Sequence, residues 1–183
     1  SQDVCSGFFV TQRFVTQASQ SSWDRRAKLD VFLATPSAQS ACGMEDFMKV
    51  VDMHCDTIAA LYENKEKGWT LQDNRLHIRL DKMKQGDYLL QNFALFVCTE
   101  NCEDPYQQAL TLADCFDRQM ALFPEQIGQV RCYNDILENQ KNGRISALLT
   151  IEEGAVCQGS LEKLREFYDR GVRMLTLTWN FPN

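Results

Sequence analysis

The sequence predicts an α/β fold built from parallel β/α units. Four short apolar segments, which begin at Val50, Leu89, Ile145 and Val172, have the length and composition of buried strands. Helical segments with capping residues separate these strands. At 183 residues with 44% apolar content, the chain has room for one domain with a core of its own. Buried parallel strands fit either a doubly wound sheet or a (β/α)8 barrel, and this pattern leaves both open.

The elements follow from local signals taken in chain order. The first strand starts at Val50, and a short helix begins at Ile58 and ends near Gly68. Pro105 stands in the favoured first turn of a long helix with apolar residues on one face. The later elements are expected as follows: a helical turn or two over 80–86, a strand from Leu89 to Cys98, helices from Pro105 to about Phe123 and from Asn134 to Asn142, a strand from Ile145 to Ile151, a helix capped by Ser160 and ended by Gly171, and a strand from Val172 to Thr178.

Residues 1–47 differ from the rest of the chain. They are rich in Ser, Gln and Thr and show no sustained periodicity. We therefore leave this segment unassigned and expect it to be poorly ordered or non-native upstream sequence. Met48 stands directly before the first convincing strand, so we take it as the candidate natural start, with one domain over 48–183.

Composition and motifs exclude several function classes. The net charge of -6 and the pI near 5.0 argue against binding to nucleic acid or to an anionic membrane. Nucleotide binding is not expected, because the glycine-rich phosphate loops are missing from the sequence, and no apolar run reaches the roughly 18 residues of a membrane span. The eight cysteines form no C-x-x-C pair, so we expect buried, reduced thiols and a cytoplasmic location.

Polar side chains stand at the carboxyl ends of three predicted strands. His54 and Asp56 are two residues apart on the first strand, so both can face one ion while Cys55 faces the core. Glu152 and Glu153 follow the third strand, and Trp179 follows the fourth. An imidazole with carboxylates suits a divalent metal such as zinc. The alternative is an ordinary histidine beside surface acids, with the glutamate pair at a helix start.

Three segments together resemble the renal (membrane) dipeptidase family of zinc peptidases. They are listed here in chain order: Val51 to Thr57, Ala147 to Gly154 and Gly171 to Asn180. The resemblance covers Met48 to Asn183. It implies the N-terminal half of a (β/α)8 barrel of the metal-dependent hydrolase type. It further implies that His54 and Asp56 are zinc ligands, that Glu152 rather than Glu153 bridges two zinc ions, and that a zinc-bridging water cleaves dipeptides.

The chain departs from that family in two respects. Its only histidines are His54 and His77, whereas the family completes its second zinc site with histidines from later strands. We therefore expect a fragment whose second zinc site is incomplete, and we read His77 as structural or at the surface. Trp179 stands where better-known members have a substrate-contacting histidine. We expect it either to line the substrate pocket or to be a core tryptophan.

Three functions remain open on this evidence. The first is dinuclear-zinc hydrolysis of dipeptides by an enzyme of which this chain is the N-terminal part. The second is a non-catalytic remnant or binding protein, whose open strand edges require pairing with itself or another chain, as in a homo-oligomer. The third is a related barrel hydrolase that acts on another amide or on a lactone.

Overall fold

A parallel β-sheet with helices packed against it forms the described part of the chain. The computed structural model describes residues 9–11 and 49–180. The strands are β1 (Phe9–Thr11), β2 (Val50–Asp52), β3 (Tyr88–Leu95), β4 (Ile127–Gln129), β5 (Ile145–Ile151) and β6 (Val172–Thr176). The α-helices are α1 (Thr57–Glu63), α2 (Leu80–Gln85), α3 (Pro105–Leu122), α4 (Tyr133–Lys141) and α5 (Leu161–Asp169).

The strand order distinguishes between the two predicted architectures. The sheet runs β1-β6-β5-β3-β2, with β4 paired to the beginning of β5, and the paired strands are parallel throughout. The four predicted strands thus lie side by side in chain order, as β2, β3, β5 and β6. A doubly wound sheet reverses its order at a switch point, whereas a barrel keeps neighbouring strands consecutive. The order of these four strands, with β1 added beside β6 and β4 beside the start of β5, is that of an arc of a (β/α)8 barrel.

The core lies between the sheet and the helices. Phe93 in β3 and Phe116 in α3 are fully buried, with ring centroids 5.9 Å apart. The apolar face predicted for α3 is confirmed, since Ala109, Leu112, Ala113 and Phe116 are buried. Asp104 caps this helix by accepting a hydrogen bond from the Gln107 N–H at 3.1 Å. The carboxyl ends of the strands are thereby held on a packed scaffold.

Several predicted boundaries differ from the structure for local reasons. The strand predicted to reach Cys98 ends at Leu95, because the Cys98 carbonyl accepts from the Asn101 N–H and a 3-10 turn follows. The last strand ends at Thr176 rather than Thr178, where the chain turns toward the loop after β5. The helix predicted to begin at Asn134 instead runs from Tyr133 to Lys141.

Two strands were not predicted. β4 is three residues long and pairs with Ile145 to Ala147 of β5. β1 lies in the segment that the sequence left unassigned, and its residues pair in parallel with Met174 to Thr176 of β6. Three residues are too few to give a periodic signal. The expectation of a natural start at Met48 concerns residues mostly outside the described part of the chain, and it stays a prediction.

Candidate metal centre

His54 and Asp56 lie just beyond the end of β2, where backbone contacts set their direction. The carboxylate of Asp52 accepts a hydrogen bond from the His54 N–H at 3.2 Å, which fixes the turn out of the strand. The Cys55 carbonyl accepts from the Ala94 N–H of β3 at 3.0 Å, so the chain continues alongside that strand. Cys55 is buried while its two neighbours are exposed. The alternation expected from strand geometry therefore extends through the triplet.

Asp56 immediately precedes α1, a position where an aspartate usually caps the helix. Its side chain makes no capping hydrogen bond here. Instead its Oδ1 lies 3.3 Å from Nε2 of His54. The carboxylate is thus directed at the imidazole rather than at the start of the helix.

Glu152 enters the site from the central strand β5. Its N–H donates to the Leu95 carbonyl at 3.3 Å, so β3 also holds this residue in register. Ala94 and Leu95 are consecutive, and they align the loop after β2 and the end of β5 against the same point of β3. Sequence reasoning missed this role, since both residues look like ordinary strand positions.

The three side chains converge on one point. Nε2 of His54 is 3.3 Å from Oε2 of Glu152, the same distance as from the Asp56 carboxylate. One ligand atom from each residue lies within 4.8 Å of the others, and this is the metal-compatible group found in the described part of the chain. Two atoms bound tetrahedrally to one zinc at about 2.0–2.1 Å lie about 3.3–3.4 Å apart. The spacing around the imidazole fits a shared divalent cation.

The chemistry of the group also fits a metal ion. Two carboxylates brought this close repel each other unless a cation or a proton lies between them. One imidazole nitrogen and two carboxylate oxygens are ligand types that zinc accepts, and three protein ligands leave a coordination position open. Residues 54, 56 and 152, predicted as ligands from the sequence, are brought together; their role as ligands stays a proposal.

Glu153 is directed differently from Glu152. It is 2% exposed, and its carboxylate accepts from the backbone N–H groups of Ala155 at 3.1 Å and of Trp179 at 3.0 Å. The Trp179 ring is half-buried and meets Phe96 edge to face, with centroids 4.8 Å apart. The sequence analysis named Trp179, and it named Glu153 as an acid at a strand end or helix start; the second role agrees with the hydrogen bond from Ala155. It did not predict the contact of Glu153 with Trp179, and it did not single out Phe96.

Cys55 and His77 stay outside the group. The pKa of the Cys55 thiol is raised to about 11, chiefly by burial, with smaller contributions in the same direction from Asp52 and Asp56. A thiol that stays protonated is a poor nucleophile, in agreement with its expected place in the core. His77 is exposed, and it is not part of the metal-compatible group.

The family model for membrane dipeptidases, peptidase family M19, matches residues 39–183. The chain belongs to this family. The resemblance to dipeptidases is therefore confirmed, and the match begins ahead of Met48, where the sequence motifs had placed its start. The M19 family is metal-dependent, and His54, Asp56 and Glu152 form the group among the described residues whose geometry is compatible with a metal ion.

Curated relatives agree with this assignment. Dipeptidase 3 of Rattus norvegicus is 31% identical over 151 residues, which are 77% of this chain and 29% of that protein. An uncharacterised dipeptidase of Schizosaccharomyces pombe is 31% identical over 118 residues, 58% of this chain and 28% of that protein. The chain thus spans under a third of the length of these M19 relatives.

Two crystal structures show the fold. The M19 metallopeptidase called dipeptidase AC gives a TM-score of 0.65 at 22% identity, covering 74% of this chain and 44% of that one. A metallopeptidase from Rhodobacter sphaeroides, bound to a phosphinate mimic of the dipeptide L-Ala-D-Ala, gives 0.65 at 21% identity, covering 75% and 47%. The predicted α/β class and partial barrel are confirmed.

Two further expectations concern membrane-spanning helices and the state of the cysteines. Among the described residues, no helix has the length and apolar character needed to cross a bilayer. No disulfide joins the six cysteines of the described part, and three of them, Cys55, Cys115 and Cys157, are buried; their redox state stays a prediction.

Proposed function

We propose that this chain supplies the first part of a zinc-dependent dipeptidase site. The observation that carries the proposal is the convergence of His54, Asp56 and Glu152 from two strand ends, with 3.3 Å between the imidazole nitrogen and each carboxylate. Membership of the M19 family supports dipeptides as the substrate class. Zinc is proposed as the metal because nitrogen and oxygen ligands in a tetrahedral spacing suit it.

The residues of the chain have separate tasks in this proposal. His54 and Asp56 hold the ion at the exposed end of β2, and Glu152 binds it from the central strand. Because a carboxylate has two oxygens, Glu152 would also be able to help hold a second ion. When bound, the metal lowers the pKa of a water and polarises the peptide carbonyl. Hydrolysis then adds hydroxyl to the carbonyl carbon and a proton to the departing amine.

Trp179 and Phe96 are proposed to form a wall of the substrate pocket. Both are partly exposed at strand ends, and their edge-to-face contact holds the tryptophan ring in place. An aromatic surface of this kind packs against apolar substrate side chains. A cytoplasmic location and assembly into a homo-oligomer remain part of the proposal, the first supported by the free thiols and the second by the exposed apolar residues of β2.

The test compares the two histidines of the chain. Zinc binding to the full chain is measured by calorimetry for wild type, His54→Ala and His77→Ala. We expect His54→Ala to weaken binding by more than about a hundredfold, beyond what loss of an outer-sphere contact costs. The exposed His77→Ala is the matched control and is expected to leave binding unchanged.

Hydrolysis is tested in the protein that contains this chain, using a panel of dipeptides together with other amides and lactones. We expect release of free amino acids from dipeptides that requires added zinc and is abolished by His54→Ala. Unchanged zinc affinity in His54→Ala would contradict the metal site. Cleavage of lactones or other amides alone would overturn the substrate class, and zinc binding without any hydrolysis would favour a binding protein.

A further inference from the structure

One buried carboxylate joins the loops that follow β5 and β6. Oε1 of Glu153 accepts from the Ala155 N–H of its own loop, and Oε2 accepts from the Trp179 N–H of the other. The two donors are 24 residues apart in sequence, so the carboxylate holds two distant segments together. Glu153 is 2% exposed, so its carboxylate end of both bonds is sheltered from competing water.

Gly154 gives a second, independent sign that the loops after β5 and β6 lie against each other. A Cβ placed on Gly154 would lie 2.6 Å from the carbonyl oxygen of Leu177 and 3.2 Å from its Cα. Real side-chain carbons do not approach backbone atoms so closely, so only glycine allows the two loops to meet there. The contact and the hydrogen bonds of Glu153 therefore fix the same pair of loops.

This junction lies directly beside the candidate metal ligand. Glu152 is held on one side by its N–H bond to Leu95, and on the other side by the fixed backbone of Glu153 and Gly154. With the backbone fixed on both sides, the Glu152 carboxylate can move relative to His54 only by rotation about its side-chain bonds. The same junction fixes the backbone of Trp179, whose ring meets Phe96.

We propose that Glu153 is a positioning residue, which sets Glu152 for metal binding and Trp179 for the pocket wall. The inference rests on the proposed function for its metal part. Glu153 is not a member of the metal-compatible group, and its effect passes through the backbone that it shares with Glu152. Groups that hold a metal ligand in place are known to change metal affinity about tenfold to a hundredfold.

Glu153→Gln tests the two hydrogen bonds specifically, because it changes the acceptor groups and hardly changes the size of the side chain. A carboxylate offers an acceptor oxygen to each N–H group, whereas an amide offers one oxygen and one NH2 donor. Glutamine therefore satisfies Ala155 or Trp179 but places a donor against the other, with nearly unchanged volume. The matched control is Glu162→Gln, at an exposed position in the first turn of α5.

The first readout is the visible absorption of Co2+ added to the full chain, because its bands report ligand geometry. We expect Glu153→Gln to weaken Co2+ binding by at least about tenfold and to alter the bands of the bound ion. Glu162→Gln is expected to behave as wild type. A purely structural role would lower the stability of Glu153→Gln while leaving the spectrum and affinity of the folded protein unchanged, and that result would overturn the proposal.

A second variant covers the case in which Glu153→Gln does not fold. Gly154→Ala keeps the carboxylate and only pushes on the Leu177 backbone, and we expect the same loss of affinity and altered bands. Wild-type affinity and bands in folded Gly154→Ala would overturn the proposal.

A second readout separates this inference from the proposed function. Trp179 is observed alone by fluorescence in a chain carrying Trp23→Phe and Trp69→Phe. We expect Glu153→Gln to shift its emission to the red, since the ring loses its fixed place on Phe96. If the wild-type chain binds no Co2+, or His54→Ala binds it equally, the metal site and the metal part of this inference fail together. In that case the Trp179 emission alone tests whether Glu153 holds the two loops together. An unchanged emission spectrum in Glu153→Gln would overturn that part of the inference.

Discussion

The two halves of the candidate metal centre are held in different ways. Glu152 follows β5, which has neighbours on both sides, and its side chain is 15% exposed. His54 and Asp56 follow the three-residue β2 at the end of the sheet, with side chains 45% and 58% exposed. Burial therefore prearranges one ligand, whereas the other two depend on a few backbone bonds. Prearranged ligands favour binding because less ordering remains to be done.

The surroundings of the strands show the same contrast. Leu149 and Ile151 of β5 are buried, whereas Val50, Val51 and Met53 at β2 are at least one-third exposed. The loop after β2 meets β3 through the backbone hydrogen bond from the Ala94 N–H to the Cys55 carbonyl and through a contact of the Asn92 amide with the Met53 sulfur. We infer that the β5 half is stabilised by the core and that the β2 half adds little to stability.

The largest expected effect tests this contrast directly. We expect Leu149→Ala to lower the free energy of unfolding by about 3 kcal/mol, since it removes a fully buried side chain and leaves a cavity. The matched change Val51→Ala, at a half-exposed position, is expected to cost less than about 1 kcal/mol. Urea unfolding followed by circular dichroism measures both. Equal losses would show that β2 is packed as firmly as β5.

A smaller effect concerns how tightly the loop after β2, which carries His54 and Asp56, is packed against the core. Burial raises the pKa of Cys55 to about 11, above the ordinary thiol value of about 8.5. A raised pKa means less thiolate, so at pH 8 the thiolate fraction falls about a hundredfold or more. We therefore expect iodoacetamide to modify the metal-free native chain at Cys55 far more slowly than at the partly exposed Cys98 and Cys102.

Peptide mapping by mass spectrometry over time measures this difference, and the chain unfolded in guanidinium serves as the control in which all thiols react. The expected rate rises as pH approaches the raised pKa. Rapid modification of native Cys55 at pH 8 would show that the loop after β2 opens readily. The ligands on either side of it would then be fixed only when metal binds.

Sequence reasoning predicted the convergence of the site because it follows from simple rules. Parallel strands end at the same edge, and an alternation that continues past the end of β2 leaves His54 and Asp56 exposed and Cys55 buried. The four main strands were long or apolar enough to be recognised. The resemblance singled out Glu152 rather than Glu153 as the ligand, but it did not predict the non-local contacts that hold each residue: the Glu152 N–H donates to the Leu95 carbonyl, and the Glu153 carboxylate accepts from the Trp179 N–H.

The missed strands show the same limit at the level of the fold. β1 and β4 each contribute three residues and acquire their structure by pairing with β6 and β5. No local propensity of such a short segment outweighs its context. The turn after Thr176 likewise depends on a distant residue. Leu177 lies so close to Gly154, in the loop after β5, that only a glycine fits there.

The smallest expected effect concerns the single ion pair at the start of β2 in the described chain. Nζ of Lys49 lies 2.6 Å from Oδ1 of Asp87, and both side chains are 43% exposed. Exposed pairs contribute about 0–1 kcal/mol, because water screens them and their side chains lose freedom. We expect Lys49→Ala to lower the free energy of unfolding by less than about 1 kcal/mol, with the difference shrinking further in about 1 M salt.

Lys84→Ala, an exposed lysine on α2, is the matched control for the loss of one positive charge. The backbone bond from the Val50 N–H to the Asp87 carbonyl survives in Lys49→Ala, so the strand keeps its register. Urea unfolding of both variants at low and high salt gives the comparison. A loss of several kcal/mol at Lys49 alone would mean that charge, rather than the backbone contacts with β3, holds the exposed half of the metal centre.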